Sequence, residues 1–242
     1  MKQLLSFFLI LLPILSYGKV YGVFVGLSLY EDKDYNLPAY MNGDIKRLYS
    51  YYDTGSLEPS DLILLTNTNA TKRNIISSLE RQFAQATADD TVVFCYSGHG
   101  GYGFFTTYHS CEYLYHYELK QIYAKCKAKL KLCFANACHS GSIQIPTYLS
   151  PAEKNALSDQ EVIVFISSRD DELSWGLYFT DPLVEGLKGA ADANNDNLIT
   201  VKELFNYVHT QVVEYSNGIQ HPVMFGKFNP NKAIVDLRSI NY

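Results

Sequence analysis

The chain has 242 residues, 47% hydrophobic and 19% charged. That excludes a disordered segment and fits one α/β domain with a sizeable core. Lys and Arg total 20 against 25 for Asp and Glu, a formal charge of -5; without any long basic run, nothing favours a nucleic-acid partner.

The first eighteen residues read as a leader. Lys2 is a minimal positive n-region, Leu4 to Leu15 is apolar apart from Ser6 and Pro13, and Ser16-Tyr17-Gly18 puts small residues at positions -3 and -1 of a cleavage site. This anatomy predicts a signal peptide over 1–18 and export to a periplasmic, secreted or lumenal destination. The apolar core is too short for a comfortable membrane span, so the mature domain, 19–242, is expected to carry none. All five cysteines follow the leader, and an odd number in an exported chain leaves at least one thiol unpaired. Cys95 and Cys133 fall inside strands as packing residues; Cys111 and Cys126 flank a helical segment and could bridge in an oxidising compartment.

Val20 to Leu27 is β-branched and aromatic, a strand. Tyr30 to Met41 is a loop, and Asp44 to Tyr52 has helical spacing, with Asp44 placed as an N-cap or first-turn carboxylate. Leu62 to Leu65 is a short strand. Thr71 caps a helix carrying Ile75, Ile76, Leu79 and Phe83, and Asp90 to Tyr96 is the next strand. This βαβαβ alternation predicts an α/β fold with a mostly parallel sheet. A small hairpin is expected over Gly100 to Tyr108, a helix over Glu118 to Lys129 and a strand over Lys131 to Ala135. The aperiodic stretch Ser142 to Gln160 is a long loop. Strand Glu161 to Ile166, helices from Asp181 to about Lys188 and from Val201 to Val213, and an edge strand Pro222 to Phe228 complete the reading.

Two strands of this sheet end alike. Asp90 to Gly101 runs Asp-Thr-Val-Val-Phe-Cys-Tyr-Ser-Gly-His-Gly-Gly, and Lys131 to Gly141 runs Lys-Leu-Cys-Phe-Ala-Asn-Ala-Cys-His-Ser-Gly. Chemistry in open α/β sheets gathers beyond the carboxyl ends of the strands. One strand delivers the imidazole of His99 there, enclosed by glycines, and the other the thiol of Cys138. A nearby imidazole lowers a thiol pKa and serves as its base. Backbone N–H groups of Gly100 and Cys138 are the candidate oxyanion donors. Taken singly, a buried cysteine and a turn histidine are the blander readings of these residues; their joint placement favours the dyad.

Tyr96-Ser-Gly-His-Gly100 and Asn136-Ala-Cys-His-Ser-Gly141 resemble the two catalytic motifs of the caspase-like cysteine peptidases, nearer the metacaspase branch than animal caspases. The animal signature is Gln-Ala-Cys-Arg/Gln/Gly-Gly with histidine about fifty residues upstream. Here Asn136 precedes the Ala-Cys pair and the gap is 138 - 99 = 39 residues. The likeness runs from Val20 to about Phe225. It implies a caspase-haemoglobinase fold with about six central strands and helices on both faces. It also implies peptide-bond hydrolysis through a thioester, with His99 and Cys138 as the dyad and no cofactor required. Asp44 matches a recurring acidic position of structural role, and Gly176-Leu-Tyr-Phe-Thr180 resembles a stretch that opens a late helix in bacterial relatives.

In metacaspases an Asp two residues before the nucleophile helps bind a P1 Arg or Lys; Asn136 stands there in this chain. Ser168-Arg-Asp-Asp-Glu172 resembles the segment that supplies a second pocket carboxylate and places Asp170 at its position. Three successive acids beyond a strand end also attract a cation. A basic P1 is expected, with an apolar P1 as the alternative that Asn136 raises. Lys154, the only Lys or Arg from Ser142 to Gln160, is then a candidate self-cleavage point.

Asp192 to Glu203 has the spacing of an EF-hand loop. Asp192, Asn194, Asp196, the Leu198 carbonyl, Thr200 and Glu203 fall at positions 1, 3, 5, 7, 9 and 12, and Asn197 replaces the usual glycine. A structural calcium ion is one reading. The other is a metal-free turn with Thr200 and Glu203 as a capping box. A protein or peptide is the expected substrate; a catalytically silent binding module, or acyl transfer by the same dyad, is the alternative function.

Overall fold

The computed structural model describes residues 18–55, 61–128, 130–144, 151, 161–175 and 178–239. The leader up to residue 17, most of the loop between Ser142 and Gln160, and the candidate cleavage point Lys154 lie outside the described residues.

In chain order the elements are β1 (Val20–Gly26), α1 (Tyr40–Gly55), β2 (Asp61–Thr66), α2 (Lys72–Gln85) and β3 (Thr91–Ser97). Three short strands follow, β4 (Gly100–Gly101), β5 (Phe104–Thr106) and β6 (Tyr113–Tyr115), then α3 (His116–Lys125) and β7 (Leu130–Asn136). The second half holds β8 (Glu161–Ile166), α4 (Thr180–Glu185), β9 (Leu198–Thr200), α5 (Val201–Tyr215), β10 (Val223–Lys227) and β11 (Ala233–Asp236). The central sheet has the order β10-β8-β7-β3-β1-β2. Its strands pair in parallel except β10, which runs antiparallel to β8 at the edge. Pro222 stands just before β10, where its missing N–H costs no ladder bond.

Strands buried on both faces read as continuous apolar runs, and their alternate side chains feed two separate cores. Val23, Phe94, Cys133 and Val164 face α2 and α3 through Ile75, Leu79, Leu119 and Tyr123. Phe24, Cys95, Phe134 and Phe165 face α1, α4 and α5 through Ile45, Leu48, Leu183, Leu204 and Val208. This is the α/β architecture expected from the sequence, with helices on both faces. None of the five cysteines is in a disulfide, so Cys111, which is exposed, and Cys126, which is buried, are not bridged.

The structure moves the boundaries of two helices, α3 and α1. Helix α3 starts at His116, with the Glu118 carboxylate taking the Tyr115 N–H at 2.9 Å, and stops at Lys125 instead of Lys129. Lys131 explains the early stop. Its side chain is fully buried, and its ammonium donates to the carbonyls of Tyr123 at 2.5 Å and Cys126 at 2.8 Å. A cation on the last carbonyls of a helix satisfies them and complements the helix dipole. Burial pulls the Lys131 ammonium down to about 8. Lys131→Met keeps the apolar stem and strips the carbonyls of their donor. It should lower unfolding stability by about 1.5 to 3 kcal/mol in a urea titration; an unchanged midpoint would remove the capping role.

Helix α1 begins at Tyr40, so Asp44 sits inside it and not at its cap. Asp44 is completely buried. One of its oxygens accepts from Arg47 at 2.8 Å, while Oδ2 has no hydrogen-bond partner. Arg47 also pairs with Asp181 in the first turn of α4, tying the two helices together. Burial drives the Asp44 carboxyl from 3.8 up to about 7; Arg47 opposes the rise and Asp181 adds to it. Between these two values the folded state holds a proton that the unfolded state has lost. This contribution to stability must therefore fall as pH rises from about 4 to 7 and then level off. Urea midpoints of wild type and Asp44→Asn across pH 4 to 8 test this. The wild-type midpoint should decline relative to the variant as pH rises, and a pH-independent difference would refute it.

Candidate active site

The site starts from strand register. In the β3–β7 pair Ser97 stands opposite Asn136, the last residue of each strand. Neighbouring strands lie about 4.8 Å apart. His99 and Cys138 each follow two residues later, so equal overshoot from paired ends brings them to one place. Both are partly buried and line a single cleft of about 270 Å³ at the carboxyl edge of the sheet. Leu37, Pro38, Met41, Ser174 and Trp175 also line it.

The imidazole is oriented by the backbone. His99 Nε2 lies 2.8 Å from the Tyr35 carbonyl oxygen, an acceptor, so this nitrogen carries the proton and Nδ1 keeps its lone pair. The His99 ring lies 5.2 Å from Tyr30 and meets Tyr35 edge-on at 6.0 Å. On the other side, the Ser174 N–H donates to Cys138 Sγ at 3.4 Å.

Gly100 holds the two motifs together. A Cβ on it would sit 2.7 Å from the Cys138 carbonyl oxygen and 3.0 Å from the Ala137 Cβ, so only glycine allows this approach. Gly100 pairs with Phe105, and Thr106 N–H donates to the His99 carbonyl at 3.0 Å. In the alternation of an antiparallel pair, the Gly100 N–H then points away from its partner strand. On either side of Cys138, Ala137 N–H donates to Ser167 Oγ and His139 N–H to the Glu172 carbonyl. The Cys138 amide has no protein acceptor among the described residues.

The loop carrying Cys138 is braced from both sides. His139 adopts a left-handed backbone (φ 54°), which costs about 1 kcal/mol or more. Its Nδ1–H donates to the Asp170 carbonyl at 2.8 Å and its ring stacks on Tyr102 at 4.8 Å. Ser142 Oγ accepts from Gly103 N–H at 2.9 Å, latching the β4–β5 hairpin to the loop. The 167–175 wall is pinned in turn by the residues before β10. Gln220, fully buried, accepts from Trp175 N–H at 2.7 Å and donates to the Ser167 carbonyl at 2.9 Å. His221 Nδ1 meets Glu172 at 2.7 Å.

Asn136 lies in the cleft. It accepts from Ser174 Oγ at 2.6 Å and donates to Thr180 Oγ1 at 3.3 Å. Asp170 does not line the cleft: its side chain is exposed, and its amide packs against Gly141 on the outer side of the loop. Two other acids neighbour cleft residues in sequence, Asp44 fully buried and Asp181 partly exposed. Asp181 follows Thr180, and Asp44 follows Met41 by one helical turn, joined to Asp181 through Arg47. Sequence reasoning missed Tyr30, the Tyr35 carbonyl, Gln220 and Trp175. Only the last left a signal, as the sole tryptophan, flanked by serine and glycine and half exposed.

The calcium candidate is arranged as a capped turn. Asp192 accepts from the amides of Asp196 and Asn197, Asn194 from Asp196, and Asp196 from Leu198. The Glu203 carboxylate takes both the N–H and the hydroxyl of Thr200, at 3.0 and 2.8 Å. The described residues contain no group of three or more His, Cys, Asp or Glu placed to hold a metal.

Comparison with solved structures shows the same fold elsewhere. Caspase-1 from Spodoptera frugiperda matches with a TM-score of 0.64 at 16% identity, over 86% of this chain and 88% of that one. A Geobacter sulfurreducens protein matches at 0.63 and 18%, over 88% and 95%. The structure of pro-sf-caspase-1 matches at 0.61 and 14%, over 87% and 88%. No curated protein sequence is similar enough to count as a relative. The family model described as "Caspase domain" matches residues 57–233, well over half of the chain and spanning both motifs, and the chain belongs to the caspase-domain family.

Proposed function

We propose that the protein is a cysteine endopeptidase in which His99 takes the Cys138 proton and the thiolate attacks a peptide carbonyl. The observation that carries this reading is the shared cleft, in which Nδ1 is the lone-pair nitrogen because Nε2 is tied to the Tyr35 carbonyl. The carbonyl oxygen becomes an oxyanion held by the amides of Gly100 and Cys138. The C–N bond breaks as Nδ1–H protonates the leaving amine, and a thioester remains on Cys138. Water then gives its proton to Nδ1, attacks the thioester and releases the acid and the thiol. The exposed apolar surface of Trp175, which lines the cleft, suits an apolar side chain of an extended peptide.

The P1 residue on this reading is Arg or Lys. Asp44 and Asp181 share one arginine, which leaves one negative charge behind the Asn136 wall once Asp44 ionises. Asp170, exposed and outside the cleft, serves as the comparison.

Cys138→Ala and His99→Ala should each abolish peptide cleavage with the fold retained, and iodoacetamide should label Cys138 ahead of the other cysteines. Labelling of Cys111 with Cys138 spared would sink the assignment. Gly100→Ala should cut cleavage about 100-fold by pushing the two motifs apart, with near-wild-type circular dichroism. In a positional-scanning peptide library, Arg or Lys should lead at P1. Asp44→Asn should reduce that lead by about 2 kcal/mol or more in kcat/KM, with Asp170→Asn close to wild type. An acidic P1 preference would overturn the pocket, and the reverse ranking of the two variants would return the charge to Asp170.

A further inference from the structure

Two buried phenols converge on the candidate catalytic histidine. Tyr30 is 3% exposed and Tyr96 1% exposed. The Tyr30 hydroxyl accepts the His99 N–H at 2.8 Å. The Tyr96 hydroxyl lies 2.7 Å from the His99 carbonyl and 2.7 Å from the Thr106 carbonyl, spanning the mouth of the hairpin. Packing alone needs neither oxygen. Tyr96 stacks on Phe105 at 4.4 Å, a contact phenylalanine would make equally well. A buried hydroxyl is costly unless it is hydrogen-bonded.

The residue between them shows how closely the pair is fitted. A Cβ on Gly98 would fall 2.7 Å from the Tyr96 hydroxyl oxygen and 2.8 Å from that of Tyr30. Glycine there lets both oxygens close on the 98–99 backbone. Tyr30 is held in turn, its N–H donating to Asn36 Oδ1 at 2.9 Å. Both backbone polar groups of His99 and its Nε2 are thus anchored, and Nδ1 is the one polar atom of the residue left to the cleft.

We propose that Tyr30 and Tyr96 are positioning residues that hold His99 by its backbone so that Nδ1 is directed at Cys138. The inference rests on the peptidase reading and deepens it. Burial pushes both phenols above their ordinary range. They therefore stay neutral while the dyad works, and they act by geometry and not by proton transfer. A misplaced base should slow chemistry while leaving substrate binding alone.

The test is Tyr30→Phe and Tyr96→Phe, each alone and in a His99→Ala background, read by peptide cleavage and by iodoacetamide alkylation of Cys138 against pH. In the wild-type background each should lower kcat about 10- to 100-fold with KM within about twofold. Each should also move the midpoint of the alkylation profile up by about one pH unit, as the thiolate loses its imidazole partner. In the His99→Ala background neither should change alkylation further. Unaltered kcat and alkylation profiles, or an equal loss without His99, would overturn the proposal. If one variant does not fold, the other carries the same test, because the two hydroxyls grip opposite ends of one residue. Alkylation needs no substrate, so it reports the tyrosine–histidine coupling even if Cys138→Ala shows that cleavage arises elsewhere.

Discussion

The register of one strand pair governs this molecule. Ser97 opposite Asn136 places two strand ends level, and two residues beyond each end stand an imidazole and a thiol. Side chains alternate with a period of two, so a slip of one residue would turn Cys138 away from the cleft and exchange the faces of every residue in β7. The apolar run of β7 gives few clues against such a slip, being buried on both sides. Register is set instead by what lies at the ends. Lys131 holds the last carbonyls of α3 at one end. At the other, Gly98 N–H bonds the Asn136 carbonyl at 3.2 Å and Gly100 abuts Cys138.

The central sheet was legible in the chain because its strands are short apolar runs closed by small polar residues, a pattern that depends on local composition alone. The two strand ends with His99 and Cys138 were legible for the same reason. Helix boundaries were less so. Asp44 resembles a cap in sequence, but the chain enters α1 four residues earlier, and the carboxylate is carried into the interior. Strands β9 and β11 are brief and pair across more than thirty residues, so neither shows periodicity of its own. The capping box of Thr200 and Glu203 and the EF-hand spacing share the same letters, and the box is formed in the structure.

What lay beyond sequence was the chemistry of backbone groups. The acceptor for His99 Nε2 is a carbonyl, identical in every residue, and nothing about Tyr35 marks it out. The same holds for the Ser174 N–H on Cys138 Sγ. Asp170 shows the converse. Its side chain suggested a pocket role, whereas its backbone does the structural work, accepting from His139 and packing on Gly141.

The pinning of the 167–175 wall by Gln220 and His221 sets an order on how the cleft comes into being. His99 and Cys138 leave the ribosome long before residues 220 and 221, and domains form from the N-terminus as synthesis proceeds at about 5 to 20 residues per second. Until those last segments emerge, Trp175 and Glu172 lack the partners that fix the wall, and Ser174 is not held beside the thiol. A nascent chain ending before Gln220 therefore carries both reactive side chains without the wall that completes the cleft. The fold itself therefore delays assembly of the cleft until the segment holding Gln220 and His221 has emerged.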